Sequence, residues 1–189
     1  MKKLLVVAAC MAVLALAAGP ALAELSYGVI GGVGLAKFTG DDAGNTKSKV
    51  GFSAGAFAQL PLLNVLALHP EALFSFRGSG YESDTKVNLY YIDVPVLVKY
   101  NLPIPLPVKT NVFAGPYLGL NFIAKQKDPD QNIGDQVEEL DYGLVFGGGA
   151  EVSKLMFDIR YSLGLAEVYE SGDKIKNGVL SVMVGYRLK

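Results

Sequence analysis

Tryptophan is missing from this sequence, and cysteine and histidine occur once each. Each scarcity closes a class of function. With one histidine, His69, and one cysteine, Cys10, no zinc site of the usual nitrogen and sulfur ligands can form. Charge of neither sign dominates: 17 Lys and Arg stand against 18 Asp and Glu, for a formal net charge of −1. A nucleic-acid partner would call for a basic patch that this balance does not supply. Beyond the N-terminal stretch, no apolar run approaches the ~20 residues that a membrane-spanning helix needs. Any passage through a bilayer must therefore use strands.

The one long apolar run opens the chain. Lys2 and Lys3 precede an almost unbroken apolar stretch from Leu4 to Ala18, and Gly19-Pro20 ends it. Ala21-Leu22-Ala23 then places small residues where a signal peptidase reads. Residues 1–23 are expected to be an export signal cut before Glu24, leaving 24–189 as one domain. The cut would remove Cys10, so no internal disulfide could form, and would take the net charge from −1 to −3. Lipoprotein processing at Cys10 would strand the apolar residues Met11 to Ala18 in the mature chain, which argues against it.

What the remainder has in abundance is alternation. In Phe157-Asp158-Ile159-Arg160-Tyr161-Ser162-Leu163-Gly164-Leu165 every odd position is large and apolar, and every even one is charged, hydroxylic or glycine. Leu180, Val182, Val184, Tyr186 and Leu188 repeat the pattern, as do Leu140, Tyr142, Leu144 and Phe146. A period of two marks strands with two unlike faces. Its parity predicts eight strands over 26–38, 49–60, 65–78, 87–101, 109–124, 138–152, 155–166 and 177–188. Each exceeds the ~9–11 residues that a tilted strand needs to cross a bilayer. Connections at Pro61–Asn64, Pro103–Pro107 and Ser153–Lys154 are short or proline-rich. Those at 39–48, 79–86, 125–137 and 167–176 are longer and polar. The reading is all-β: an eight-stranded antiparallel transmembrane β-barrel, an up-and-down meander with short turns on the periplasmic side.

The faces favour the membrane barrel over a soluble periplasmic lipocalin-like binder, the alternative that would need the apolar side turned inward and the polar side toward water. One face here carries nearly all the large apolar residues; the other carries Gly, Ser, Asn and charge. Parity sends His69, Glu71, Ser75, Arg77, Asp93, Lys99, Glu151, Asp158, Arg160 and Arg187 into the lumen. An eight-stranded lumen is just wide enough for its own side chains, so a general diffusion pore is not expected. Buried charges must pair, which makes these residues a structural charge network. Glu151, Asp158, Arg160 and Arg187 are expected to share one ion-pair cluster in the periplasmic half. Outward aromatics should form two interfacial girdles: Tyr27, Tyr100, Phe157 and Tyr186 on the periplasmic side, and Phe52, Phe76, Tyr90, Phe122 and Tyr142 on the loop side.

Tyr91-Ile92-Asp93-Val94-Pro95-Val96-Leu97-Val98-Lys99-Tyr100 resembles the aromatic-x-acid-x-Pro-apolar-x-x-Lys-Tyr strand of the small bacterial outer-membrane β-barrel domain family, often described as porin-like. Gly51-Phe52-Ser53-Ala54-Gly55, His69-Pro70-Glu71-Ala72-Leu73, Phe113-Ala114-Gly115-Pro116-Tyr117, Gly147-Gly148-Gly149-Ala150-Glu151, Asp158-Ile159-Arg160-Tyr161 and Val184-Gly185-Tyr186-Arg187-Leu188 follow in the family's order. The resemblance implies residence in the bacterial outer membrane, after export and insertion by the envelope assembly machinery. Such barrels usually end on an aromatic residue read by that machinery, whereas this chain ends Leu188-Lys189. The family carries no single chemistry.

His69, Glu71 and Ser75 could be read as an acyl hydrolase or acyltransferase set, since some outer-membrane barrels are lipid-modifying enzymes. All three fall on the inward face, away from lipid, so no catalytic residue is assigned. Asp128 to Asp135 is dense in oxygen ligands but lacks the closing Glu of a calcium loop. Glycine clusters such as Gly31-Gly32-Val33-Gly34 lie within strands and not before helices, which fits barrel packing and not a nucleotide loop. No cofactor is expected. The partners expected are outer-membrane lipid, the assembly machinery and an external ligand of the long loops, with no nucleic acid.

Overall fold

Alternation of the two side-chain types over ten or more residues leaves the backbone one way to satisfy its polar groups in lipid: pairing strand to strand until no edge is left. The computed structural model describes residues 25–39, 46–81, 86–104, 107–127, 131–132, 140–166 and 176–189. The expected export signal at residues 1–23 lies outside them. Eight long strands carry the fold: β1 (Ser26–Thr39), β2 (Thr46–Pro61), β3 (Leu66–Tyr81), β4 (Lys86–Asn101), β5 (Lys109–Lys127), β7 (Leu140–Val152), β8 (Leu155–Gly164) and β9 (Lys176–Arg187). A two-residue piece, β6 (Gln131–Asn132), pairs only with the outer end of β5.

Each long strand pairs antiparallel with its neighbours in sequence, and β1 pairs with β9 to close the barrel. The chain is an eight-stranded antiparallel barrel of meander topology. At one end sit the short turns, including Ser153–Lys154, and both ends of the strand meander: Leu188 N–H donates to Tyr27 O at 2.9 Å. The turn at Ser153 needs φ > 0 at its first central position, and Ser153 adopts φ 56° there.

At the opposite end the strands outrun the alternation. Of the loop expected over 79–86, residues 79–81 and 86 are strand, since β3 runs to Tyr81 and β4 begins at Lys86. Hairpin partners go on exchanging backbone hydrogen bonds where both faces are polar, and a hydropathy pattern cannot register that.

The outer face is apolar on strand after strand. Val33 and Val50, at 61 % and 66 % exposure, and Ile159 at 62 % stand out with Phe74, Ile92, Val112, Phe146 and Val184. A continuous apolar belt of this extent is not sustained in water; it is a lipid-facing surface.

The lumen is less polar than the alternation suggests. Phe57, Leu73, Leu89, Tyr91, Leu97, Phe113, Tyr117, Met156 and Met183 are buried there beside the charges. They form two apolar clusters, one around Ile30, Phe57, Leu73, Met156 and Met183, the other around Leu97, Phe113, Tyr117 and Val145. Volume explains them: a lumen lined only by small residues would leave voids, and interiors pack close to crystal density. Register places several of these bulky groups opposite a glycine. Phe57 faces Gly28, Met183 faces Gly32, Phe113 faces Gly147 and Tyr117 faces Gly143.

Candidate functional site in the lumen

The charged lumen residues fall into three groups stacked along the barrel axis. In the loop-side half, Arg77 of β3 reaches across to β4 and β7. It donates to Asp93 through a short hydrogen bond and to Asp141 Oδ2 at 3.1 Å. Tyr117 OH, at 3.2 Å, and Asn177 Nδ2, at 3.1 Å, donate to the same Asp141 oxygen. Asn177 also lies 3.4 Å from Tyr91 OH. Both carboxylates border Gly119, the register partner of each. A Cβ at Gly119 would stand 2.6 Å from Asp93 Oδ1, so glycine there makes room for the Arg77 bridge.

Below lies a second group. Arg160 donates to Glu71 Oε2 at 2.7 Å and to Asp158 Oδ2 at 2.8 Å. Lys99 Nζ is 3.7 Å from the same Asp158 oxygen, and His69 Nε2 is 3.2 Å from Glu71 Oε1. The His69 ring stacks on Phe57 with centroids 4.9 Å apart. Lys99 and Arg160 both approach the Phe113 ring, at 5.5 and 5.4 Å from its centroid. All of these groups are buried, which makes their mutual pairing energetically necessary.

The third group is a single pair at the periplasmic mouth, where Arg187 Nη2 donates to Glu151 Oε2 at 2.7 Å. It corrects the expectation of one cluster over Glu151, Asp158, Arg160 and Arg187. Met156 faces Glu151 in register and fills the lumen one inward position below Asp158, while Arg160 and Lys99 already occupy the Asp158 carboxylate. Sequence reasoning also missed Asp141, Asn177, Tyr91 and Tyr117. Asp141 stood on the polar side of its strand's alternation, and that parity was the signal available.

Between the first two groups a cavity of about 30 Å³ remains, bordered by Ser53, Ser75, Ser162 and Ser181 and by Arg77 and Arg160. The Ser53 and Ser75 hydroxyls are hydrogen-bonded to each other at 2.9 Å. A space of this size holds a water molecule or two and no acyl chain. Ser75 and His69 are buried in separate surroundings, with His69 enclosed by Phe57 and Glu71. Among the described residues, no group of three or more His, Cys, Asp or Glu is placed to hold a metal. The Asp128–Asp135 segment lies outside the described residues except for Gln131 and Asn132.

On the outer face, Tyr27, Tyr100, Phe157 and Tyr186 are exposed toward the periplasmic end, and Phe52 and Tyr142 toward the loop end. Phe76 and Tyr90 are half-buried against each other, ring centroids 5.0 Å apart, and Phe52 packs on Phe76 at 5.6 Å. The side chain of Phe122 lies outside the described residues.

A model of the family described as outer membrane protein beta-barrel domain matches residues 17–170. Among solved structures, Neisserial surface protein A is 19 % identical, with 85 % of this chain and 96 % of that one covered at a TM-score of 0.55. The outer membrane protein OprG from Pseudomonas aeruginosa is 11 % identical, covering 86 % of this chain and 95 % of that one, with a TM-score of 0.50. At such identities the likeness is one of fold. No curated protein matches in sequence.

Proposed function

Because the chain belongs to the outer membrane protein beta-barrel domain family and resides in the bacterial outer membrane, we propose that it is a non-enzymatic surface protein whose barrel holds four loops for an external ligand. The observation that carries this reading is the sealed lumen. Its charges pair across the axis, and the space between the two inner groups is about 30 Å³, while a wider one of about 210 Å³ lies at the periplasmic mouth beside Glu151 and Arg187. In this reading the barrel neither conducts solutes nor encloses a substrate. The side chains that could support acyl chemistry, His69 and Ser75, are committed to interior packing. What varies freely on such a scaffold is the loop end, and loops on rigid barrels are where binding concentrates.

In this reading residues 1–23 direct export, and the assembly machinery inserts the barrel using the outward residues Val184 and Tyr186 of β9 and Leu188 just beyond it. The lumen groups act structurally. The test presents the purified barrel in lipid nanodiscs to arrays of extracellular glycans and proteins. Replacing residues 128–139 and 167–175 with short Gly-Ser turns should abolish capture while the barrel stays heat-modifiable on gels. Capture that survives both replacements, or fatty-acid release from labelled outer-membrane lipid, would sink the proposal.

A further inference from the structure

Two of the three short turns lack the chemistry of a turn in water. Residues 62–65, between β2 and β3, read Leu-Leu-Asn-Val, and residues 102–108, between β4 and β5, read Leu-Pro-Ile-Pro-Leu-Pro-Val. Turns that meet water draw on Gly, Pro, Asn, Asp and Ser. Prolines aside, these two offer only Asn64, and neither holds a charge. Leu62, Leu63 and Ile104 are exposed, Leu63 at 64 %. Pro105 and Leu106 lie outside the described residues.

The two turns make one patch. Leu66 pairs with Tyr100 across β3 and β4, and Asn101 N–H donates to Val65 O at 2.7 Å. The patch also continues the lipid face without a break, since Val98, Tyr100 and Val112 are exposed beside it. Lys109, the nearest cation in sequence, borders the lumen mouth with Glu151 and Arg187. On the opposite side of the barrel the order differs. There Lys154 Nζ lies 6.0 Å from the centroid of the Tyr186 ring, and the β7–β8 turn is Ser153-Lys154. Tyrosine followed at once by charge marks a headgroup boundary. Beyond Tyr100 the surface stays apolar.

The backbone supplies a second observation. Leu62 and Leu63 N–H both donate to Leu66 O, at 2.9 and 3.1 Å. Leu102 N–H donates to Thr110 O at 2.9 Å, and Ile104 N–H to Leu102 O at 2.8 Å. Pro103 and Pro107 have no N–H to satisfy. Water would serve such donors in an ordinary turn; hydrocarbon demands that they be paired within the protein.

We propose that these two turns insert into the hydrocarbon of the periplasmic leaflet, a one-sided lipid anchor that leaves the Ser153–Lys154 turn among headgroups. Lipid is the occupant because the patch is the lower end of a face already in lipid. An anchor on one side with a cation on the other sets the tilt of the barrel. The inference goes beyond the loop reading and does not depend on it.

The experiment uses the chain purified from outer membranes in a Cys10→Ser background. Leu63→Cys, Ile104→Cys and Ser153→Cys each carry the environment-sensitive fluorophore NBD. The barrels are reconstituted in vesicles of dioleoyl phosphatidylethanolamine and phosphatidylglycerol, and heat-modifiability on gels confirms folding. Lipids with a nitroxide on the acyl chain should quench the labels at 63 and 104 about threefold more strongly than the label at 153, as expected for side chains set below the headgroups. Iodide on both sides of the membrane should quench in the reverse order. A second measurement needs no variant: in nanodiscs, the amide signals of Leu63 and Ile104 should broaden with the nitroxide lipid and not with a soluble gadolinium chelate. Iodide quenching at 63 and 104 equal to that at 153, or broadening of both amides by the chelate alone, would place the turns in water and overturn the proposal, with a periplasmic protein then the occupant to seek. The loop reading is judged separately, by capture in the loop-replaced barrel.

Discussion

Asp141 accepts three hydrogen bonds on one oxygen, from Arg77, Tyr117 and Asn177, inside the buried lumen. Truncating one member of a buried ion pair leaves its mate uncompensated, and that penalty commonly reaches 3–5 kcal/mol. Arg160→Ala, which would orphan both Glu71 and Asp158, is expected to destabilise the barrel by about that amount in urea titrations from lipid vesicles. His69→Ala should cost less, about 1–2 kcal/mol, because it removes a ring stack and one polar contact and strands no full charge pair. A loss at His69 equal to that at Arg160 would contradict the division. The inward set was legible in the sequence because parity alone decides which way a strand residue points. Which inward residue meets which was not. Arg77 and Asp141 are 64 positions apart, and only the cross-strand register brings them to one height.

Strands were legible because each keeps its alternation for the full thickness of the bilayer, and their ends were not, because pairing continues past the lipid. β8 shows the alternation directly, with Phe157, Ile159 and Leu155 outward and Met156, Asp158 and Arg160 buried. Ile159→Arg should therefore cost ~2–4 kcal/mol of folding stability, the range for a cation on the lipid face near midplane. The companion change Arg160→Ile puts no charge in lipid and should instead disrupt the Glu71 and Asp158 contacts. Some glycines followed a rule that the sequence could not display: Gly28, Gly32, Gly143 and Gly147 clear space for a bulky partner one strand away. Gly147→Leu should meet the Phe113 ring and cost ~1–3 kcal/mol as overpacking. The β7–β8 turn offers a gain. Ser153 holds φ 56° where glycine suffers no Cβ penalty, so Ser153→Gly should raise stability by about 1 kcal/mol. An unchanged unfolding midpoint would show that local contacts of Ser153 offset the strain.

For the molecule as a whole, three stacked groups of lumen charge and two apolar clusters fill the lumen among the described residues. Purified protein in planar bilayers should give no large, stable, ohmic steps, and their appearance in the monomer would rule out the sealed lumen. Loop replacement should leave this electrical silence unchanged, since the seal lies below the loops. The seam of the barrel is where β1 meets β9, held by twelve registered residue pairs and by hydrogen bonds between Tyr27 and the last two residues. Because those ends already touch, the strand order is a ring, and the seam is a cut made by the chain and not by the architecture. A circularly permuted gene that links residue 189 to residue 26 and opens at the Ser153–Lys154 turn should specify the same barrel. Its strands would simply be counted from a different start.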